Sequence, residues 1–320
     1  MMQPFYVANE LLQDEDALKR RFDSDGYLFL KEIVDPGKLL RLRRQIAQCC
    51  ARHGWFKPDS DPMDAIAWTT AKTEGEEEYL KVYDEIQKLE DFHALSHDES
   101  IVSVMRRLLG ATAFAHPLSI ARLMFPDTPE WQTPPHQDHP NNQGTKDLYA
   151  CWMPLSDCPI TLGNLSILAG SHRYGLLPLE YAMGPGHRQA VLDERLRELT
   201  WRVGDFALGD VVIFHSLTVH RSLPNLTDRL RLSVDYRFQR EGEPLTENCL
   251  KPHFQRIAWD EIYRNWNRSD LKFYWKRKSF PIAAWNAHMH DLPDSHLAGA
   301  IQQQMEFDAK RAQRSAKYPR

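Results

Sequence analysis

The chain has no CxxC pair and only five cysteines in 320 residues: Cys49, Cys50, Cys151, Cys158 and Cys249. An odd number at those spacings argues against a disulfide framework and fits a reduced, cytoplasmic protein. No apolar run approaches the roughly 20 residues that span a bilayer. The opening MMQPFYVANELLQDEDALKRRF lacks the cationic stretch and apolar core of a signal peptide. There is no internal repeat and no low-complexity tract. Neither sign of charge dominates: 40 Lys and Arg stand against 44 Asp and Glu, a net charge of -4. That balance speaks against a surface built for nucleic acid or anionic membrane. What is present is ordinary for a globular protein, 42% hydrophobic and 26% charged residues. A chain of this length can bury a core without staples.

Three textures follow one another along residues 1–320, which read as one domain. Residues 1–110 are mainly helical, with helical patterns over 11–22, 38–53, 76–89 and 99–109 and a short buried strand, YLFL, at 27–30. Residues 111–240 carry short β-branched and aromatic segments at 120–125, 148–154, 166–168, 210–215 and 230–238. Their close spacing predicts a sandwich or barrel. Between them, Gly184-Pro-Gly186 and a helix-like stretch at 192–199 read as an insertion. Residues 241–320 form an aromatic-rich extension with Phe254, Trp259, Tyr263, Trp266, Phe273, Tyr274, Trp275 and Trp285, ending in a helix over 295–312 and a basic tail. Two readings of those aromatics stay open: core packing, or a lid or oligomer contact. The oligomeric state is open, a homodimer included.

The stretch HQDHPNNQG, 136–144, sets His136 two residues before Asp138. On an extended strand such a pair points to one side, and Pro135 biases the preceding residue towards extended backbone. Two imidazoles and one carboxylate suit an iron(II) site with positions left open. The pair alone does not make one, and a third ligand must come from elsewhere. The stretch GDVVIFHSLTVHRSLPN, 209–225, offers His215 and His220, and Arg229 and Arg231 follow.

That second stretch resembles the later half-motif of the phytanoyl-CoA dioxygenase family, iron(II)- and 2-oxoglutarate-dependent oxygenases. The family places its second His at the end of a GD-apolar-H-x4-H pattern and an Arg eleven residues on, which here are His220 and Arg231. His215 does not fit that spacing, and Arg229 reads as a surface charge. LYACWMPLSD, 148–157, and GNLSILAGSH, 163–172, are similar to the family's W-x-PL-x-D and NG-x-L-x-x-x-PGSH, with Leu162 and Ala169 as departures. FDSDGYLFL, 22–30, is similar to its F-x-x-x-G-Y. The resemblance covers roughly residues 15–240 and no motif extends beyond.

The resemblance implies a double-stranded β-helix, a cupin-like jelly-roll core in an α+β, mainly β protein with flanking N- and C-terminal helices. It implies Fe(II) on His136, Asp138 and His220, with 2-oxoglutarate and O2 as co-substrates. Arg231 would grip the far carboxylate of 2-oxoglutarate through two parallel hydrogen bonds. Ser222 resembles a hydroxyl on the same group, and Trp152 an aromatic lining that pocket, a role compatible with core packing. The expected reaction hydroxylates a C–H of a small molecule and releases succinate and CO2. Desaturation, ring formation and epimerisation remain alternatives. An Asp at position 138, rather than a small residue, favours oxygenation over halogenation. Gln137, His139, Asn141, Asn142 and Arg122 are candidates to line the substrate pocket, and several polar neighbours would suit a polar or anionic molecule. Each could equally serve a loop. Two other classes compete: a non-catalytic jelly-roll that binds metal or ligand, and a zinc hydrolase on the same three ligands.

Overall fold

The computed structural model describes residues 2–126, 128–292, 295–315 and 318. Two β-sheets face each other. The smaller has the order β1 (Met2–Pro4), β8 (Trp201–Val203), β5 (Leu165–Leu168), β10 (His220–Ser222). The larger has the order β2 (Tyr27–Leu30), β9 (Val211–His215), β4 (Tyr149–Pro154), β11 (Arg231–Arg240), β3 (Ala113–Met124), with every neighbour antiparallel. Two short ribbons lie beside them: β6 (Leu179–Tyr181) with β7 (Arg188–Ala190), and β12 (Leu245–Thr246) with β13 (Ile282–Ala283). This is the expected jelly-roll. The N-terminal part also contributes to it, because β1 and β2 each add a strand.

The larger sheet is covered on both faces, so its strands read as continuous apolar runs. Alternation still sorts the side chains. Tyr27 and Phe29 of β2, Ala150 and Trp152 of β4, and Val212 and Phe214 of β9 meet Ile167 and Phe206 between the sheets. The residues between them, such as Leu28, Cys151, Met153 and Ile213, face outward onto the helices. All five cysteines are buried and unbridged.

Those helices are α1 (Glu15–Asp25), α2 (Pro36–Arg52), α3 (Glu77–Gln87), α4 (Glu90–Ala94) and α5 (Glu99–Leu109). Their apolar faces, for example Leu39, Leu42 and Ile46 of α2, join the core under the larger sheet. Caps set their starts by satisfying free N–H groups. Asp14 accepts from Ala17 N at 2.9 Å, Asp35 from Lys38 N at 3.1 Å and Asp98 from Ser100 N at 3.1 Å. The Asp14 cap explains one difference from the sequence reading. The helix expected over 11–22 is a 3-10 turn, Asn9–Gln13, followed by α1. Similarly, the helix-like stretch 192–199 yields only a 3-10 turn at Glu194–Leu196.

Further on lie α6 (His139–Asn142), α7 (Trp259–Ile262) and α8 (Ser295–Ser315). Most of the C-terminal aromatics pack as core. Tyr263, Trp266 and Trp275 are buried together with Ile262 and Leu271. Trp266 Nε1 donates to the Lys88 carbonyl at 3.0 Å, and Tyr274 donates its hydroxyl to the Ala115 carbonyl at 2.7 Å. Trp285 differs: it is exposed and stacks on His290. On α8, Phe307 is buried against Trp131, and Arg314 pairs with Glu130 at 3.0 Å. Among the described residues, no helix is long and apolar enough to cross a membrane.

Candidate active site

His136 and His220 exchange both backbone hydrogen bonds: His136 N donates to His220 O at 2.9 Å, and His220 N to His136 O at 3.0 Å. This two-bond bridge sets the imidazoles side by side, ring centroids 4.1 Å apart. Each ring donates its Nδ1–H to a carbonyl two residues back, His136 to Pro134 at 2.9 Å and His220 to Thr218 at 3.0 Å. The tautomer is thereby fixed and both Nε2 lone pairs face one point. Burial lowers both pKa values, His220 to about 3, so both rings are neutral near pH 7, the form in which an imidazole can bind a metal.

Asp138 does not continue a strand. Its φ of -73° and ψ of -27° are helical, and it leads directly into α6. The turn, rather than an extended i, i+2 pair, brings its Oδ1 to 3.8 Å from each Nε2. Ligand atoms of His136, Asp138 and His220 all lie within 4.8 Å of one another. Burial alone would raise the Asp138 carboxyl, but Arg237, then His220 and His136, pull it down to about 2. His215 stands apart from this set: its Nδ1 accepts from Leu217 N at 3.0 Å and its Nε2 lies 3.5 Å from Asp147. Arg229 is a surface residue, 3.9 Å from Asp228.

Arg231 opens β11 and is 3% exposed. Its Nη1 donates to the Gly163 carbonyl, and its Cζ lies 5.6 Å from the Trp152 ring. Nε has no partner, and no carboxylate among the described residues pairs with the group. Burial lowers its pKa to about 10. A buried cation without an anion is costly, so this cleft calls for one. Trp152 packs edge-on against Phe206, centroids 4.9 Å apart. Ser222 is buried, and its hydroxyl oxygen accepts from Thr133 N at 2.9 Å, leaving its own proton to donate.

The family profile of phytanoyl-CoA dioxygenase (PhyH) matches residues 22–233. The chain belongs to the phytanoyl-CoA dioxygenase family. This oxygenase is 26% identical over 257 residues to a 1-deoxypentalenic acid 11-beta-hydroxylase of Streptomyces exfoliatus, covering 76% of this chain and 87% of the relative. It is 26% identical over 265 residues to the enzyme of the same name from Streptomyces arenae, with the same coverage. Among solved structures, the non-heme alpha ketoglutarate dependent epimerase SnoN from nogalamycin biosynthesis superposes with a TM-score of 0.51 at 18% identity, over 72% of this chain and 84% of that one. SnoN in complex with Fe3+, alpha ketoglutarate and nogalamycin RO gives a TM-score of 0.52 at 18% identity, over 72% and 85%. These two establish the likeness of fold.

Around the triad the oxygenase has a cavity of about 260 Å³. The expected pocket residues divide there. Arg122, Gln137, Asn141 and Asn142 line it, whereas His139 does not and sits towards Lys146 and His215. Gln137 spends its amide on the scaffold, donating to the Gly175 and Leu217 carbonyls at 2.8 and 2.7 Å and accepting from Leu177 N at 2.8 Å. Asn142 donates to the Asp138 carbonyl at 2.9 Å. Arg122 lines both this cavity and the Arg231 cleft, and pairs with Asp235 at 3.3 Å and Glu74 at 3.5 Å.

Sequence reasoning missed Glu74, Arg188, Arg237, His253 and His290, which also line the cavity, and Asp235 behind them. For two of these the signal was present. In RLSVDYRFQ, 231–239, polar residues alternate with apolar ones. Leu232, Val234, Tyr236 and Phe238 face the helices, so Arg231, Ser233, Asp235, Arg237 and Gln239 share the inner face.

Proposed function

We propose that this oxygenase uses Fe(II) and 2-oxoglutarate to hydroxylate an unactivated C–H of a small molecule, with succinate and CO2 as co-products. The reading is carried by one conjunction: a buried donor set of two neutral imidazoles and one carboxylate beside a buried Arg231 without a carboxylate. The donors fit iron(II), offering two imidazole nitrogens and one carboxylate oxygen with further positions free. His136 Nε2, Asp138 Oδ1 and His220 Nε2 would hold the metal. Arg231, with Ser222 as a second donor and Trp152 as a wall, would hold the far carboxylate of 2-oxoglutarate. Bound iron would supply the activation of O2 that no side chain can.

The chain's own groups bind and orient. Asp138, Asp235 and Glu74 balance Arg122, Arg231 and Arg237, so a dication and a dianion could enter together without leaving buried net charge. Arg188 lies outside that balance. Its Nε donates to the His290 carbonyl at 2.8 Å and its Nη1 to the Gly186 carbonyl at 3.0 Å, with no acidic partner among the described residues. A spare guanidinium on the cavity wall supports an acidic substrate, in keeping with relatives named as hydroxylases of an acid. A hydrolase would have no need of Arg231 and Ser222, and a non-catalytic binding protein would not need the co-substrate cleft kept intact.

The test is anaerobic addition of Fe(II) and 2-oxoglutarate. A weak visible charge-transfer band is expected, lost in Arg231→Gln at the same 2-oxoglutarate concentration. No band, together with no 2-oxoglutarate-dependent succinate release in air, would overturn the proposal.

A further inference from the structure

We propose that Arg237 is a positioning residue for the metal site: it holds the outer oxygen of Asp138, so that this carboxylate offers a metal one oxygen and leaves the other positions open. The inference rests on the metal reading above and goes beyond it.

The two Asp138 oxygens face different groups. Oδ1 lies 3.8 Å from both His136 Nε2 and His220 Nε2, while Oδ2 lies 2.9 Å from Arg237 Nη2, an ion pair without hydrogen-bond geometry that leaves Oδ2 otherwise unpartnered among the described residues. Both side chains of that ion pair are 3% exposed, so it is shielded from bulk solvent. A carboxylate left free can bind a cation through one oxygen or both. The second mode would fill a position that a co-substrate needs. A guanidinium charge 2.9 Å from Oδ2 disfavours it.

Arg237 is itself held. Its Nη2 is 3.2 Å from Asp235 Oδ2, and that same oxygen is 3.3 Å from Arg122 Nη2. Asp235 and Arg237 stand two apart on the inner face of β11, which is paired on both sides, by β4 and by β3. Asp235 is paired on both sides, with Trp152 and Ile120, whereas Arg237 is paired with Ala150 of β4 and stands where the register with β3 shifts. Arg122 reaches them from β3. The result is an unbroken line of alternating charge from Asp138 through Arg237 and Asp235 to Arg122, and Arg122 also lines the cleft that holds Arg231. Arg237 Nε and Nη1 are buried without hydrogen-bond partners among the described residues. Such groups are expensive, and an apolar side chain of similar volume would avoid that expense. What the apolar side chain would lack is the contact to Asp138.

The test uses purified full-length protein and Co(II) as the metal probe. Titration gives the dissociation constant, and the visible d–d bands report the coordination number. In Arg237→Gln the Co(II) dissociation constant should rise about 10- to 100-fold, with a change in the d–d bands. Arg237→Lys keeps a cation, but its shorter stem and more strongly hydrated ammonium do not put the charge where Nη2 meets both carboxylates, and it should fall between wild type and Arg237→Gln. Asp235→Asn, which frees Arg237 on one side, should weaken binding about tenfold. A folded Arg237→Gln that binds Co(II) within twofold of wild type, with unchanged bands, overturns the inference. If Arg237→Gln does not fold, wild-type affinity and bands in both Arg237→Lys and Asp235→Asn overturn it instead. His220→Ala is the control for the underlying reading. If wild type shows no Co(II) binding that His220→Ala loses, the metal site itself fails, whatever Arg237 does.

Discussion

Arg231 enters β11 as a buried cation whose side chain has, among the described residues, one hydrogen-bond partner, the Gly163 carbonyl. If 2-oxoglutarate supplies the missing anion, replacing the guanidinium removes charge-assisted hydrogen bonds of about 1.5–3 kcal/mol. Arg231→Gln should then raise KM for 2-oxoglutarate about 10- to 100-fold, read from succinate release against co-substrate concentration. A KM within twofold of wild type would place the carboxylate elsewhere. The two histidines of HSLTVH separate as sharply. His220→Ala should abolish Co(II) binding, and His215→Ala should leave it within twofold, because His215 faces Asp147 and not the triad. Spacing to Arg231 already distinguished them in the sequence. Arg237 was not legible in the same way, since its role depends on Asp138, some hundred residues earlier, arriving beside it.

At the scale of elements, the segment that joins β4 to β5 carries the Arg231 partner. Gly163 has a φ of +80°, and a Cβ there would lie 2.8 Å from the Leu223 carbonyl and 2.9 Å from Asn225 N. Gly163→Ala should cost about 1–3 kcal/mol and lower the thermal midpoint by a few degrees. It should also raise KM for 2-oxoglutarate, because the carbonyl that orients Arg231 moves. Gly54 also has positive φ, +71°, but open space around it. Gly54→Ala should therefore destabilise less and leave KM unchanged, and equal effects of the two would remove the argument from contact. The strands were legible in the sequence because most of the larger sheet is covered on both faces and its strands are rich in apolar residues. The 3-10 turns and the helical turn at Asp138 were not, since capping and a neighbouring strand override local preference there.

At the scale of the molecule, several histidines are buried in neutral form. Burial lowers His93 and His116 to about 4, against about 6.5 in an unfolded chain. A depressed histidine favours the unfolded state once that state takes up protons. The stability these rings permit is complete above pH 6.5 and is lost as pH falls towards 4. Urea midpoints should be level from pH 8 to 7 and fall steadily from pH 6.5 downward. A level midpoint down to pH 5 would show that these rings are not held neutral.

The family, the jelly-roll and the candidates His136, Asp138, His220 and Arg231 could be read from the chain alone. They depend on short motifs that resemble the family's and on side-chain types whose chemistry has few substitutes. It took the folded chain to show that His136 and His220 face each other through a two-bond bridge, and that Asp138 turns in from a helical residue. The same holds for the line of Arg237, Asp235, Arg122 and Glu74 between the triad and the Arg231 cleft, and for His253 and His290, which reach the cavity from beyond the family match. Those contacts join residues far apart in the chain. Whether a buried charge finds a partner is settled by which strands lie side by side, and local pattern carries no record of that.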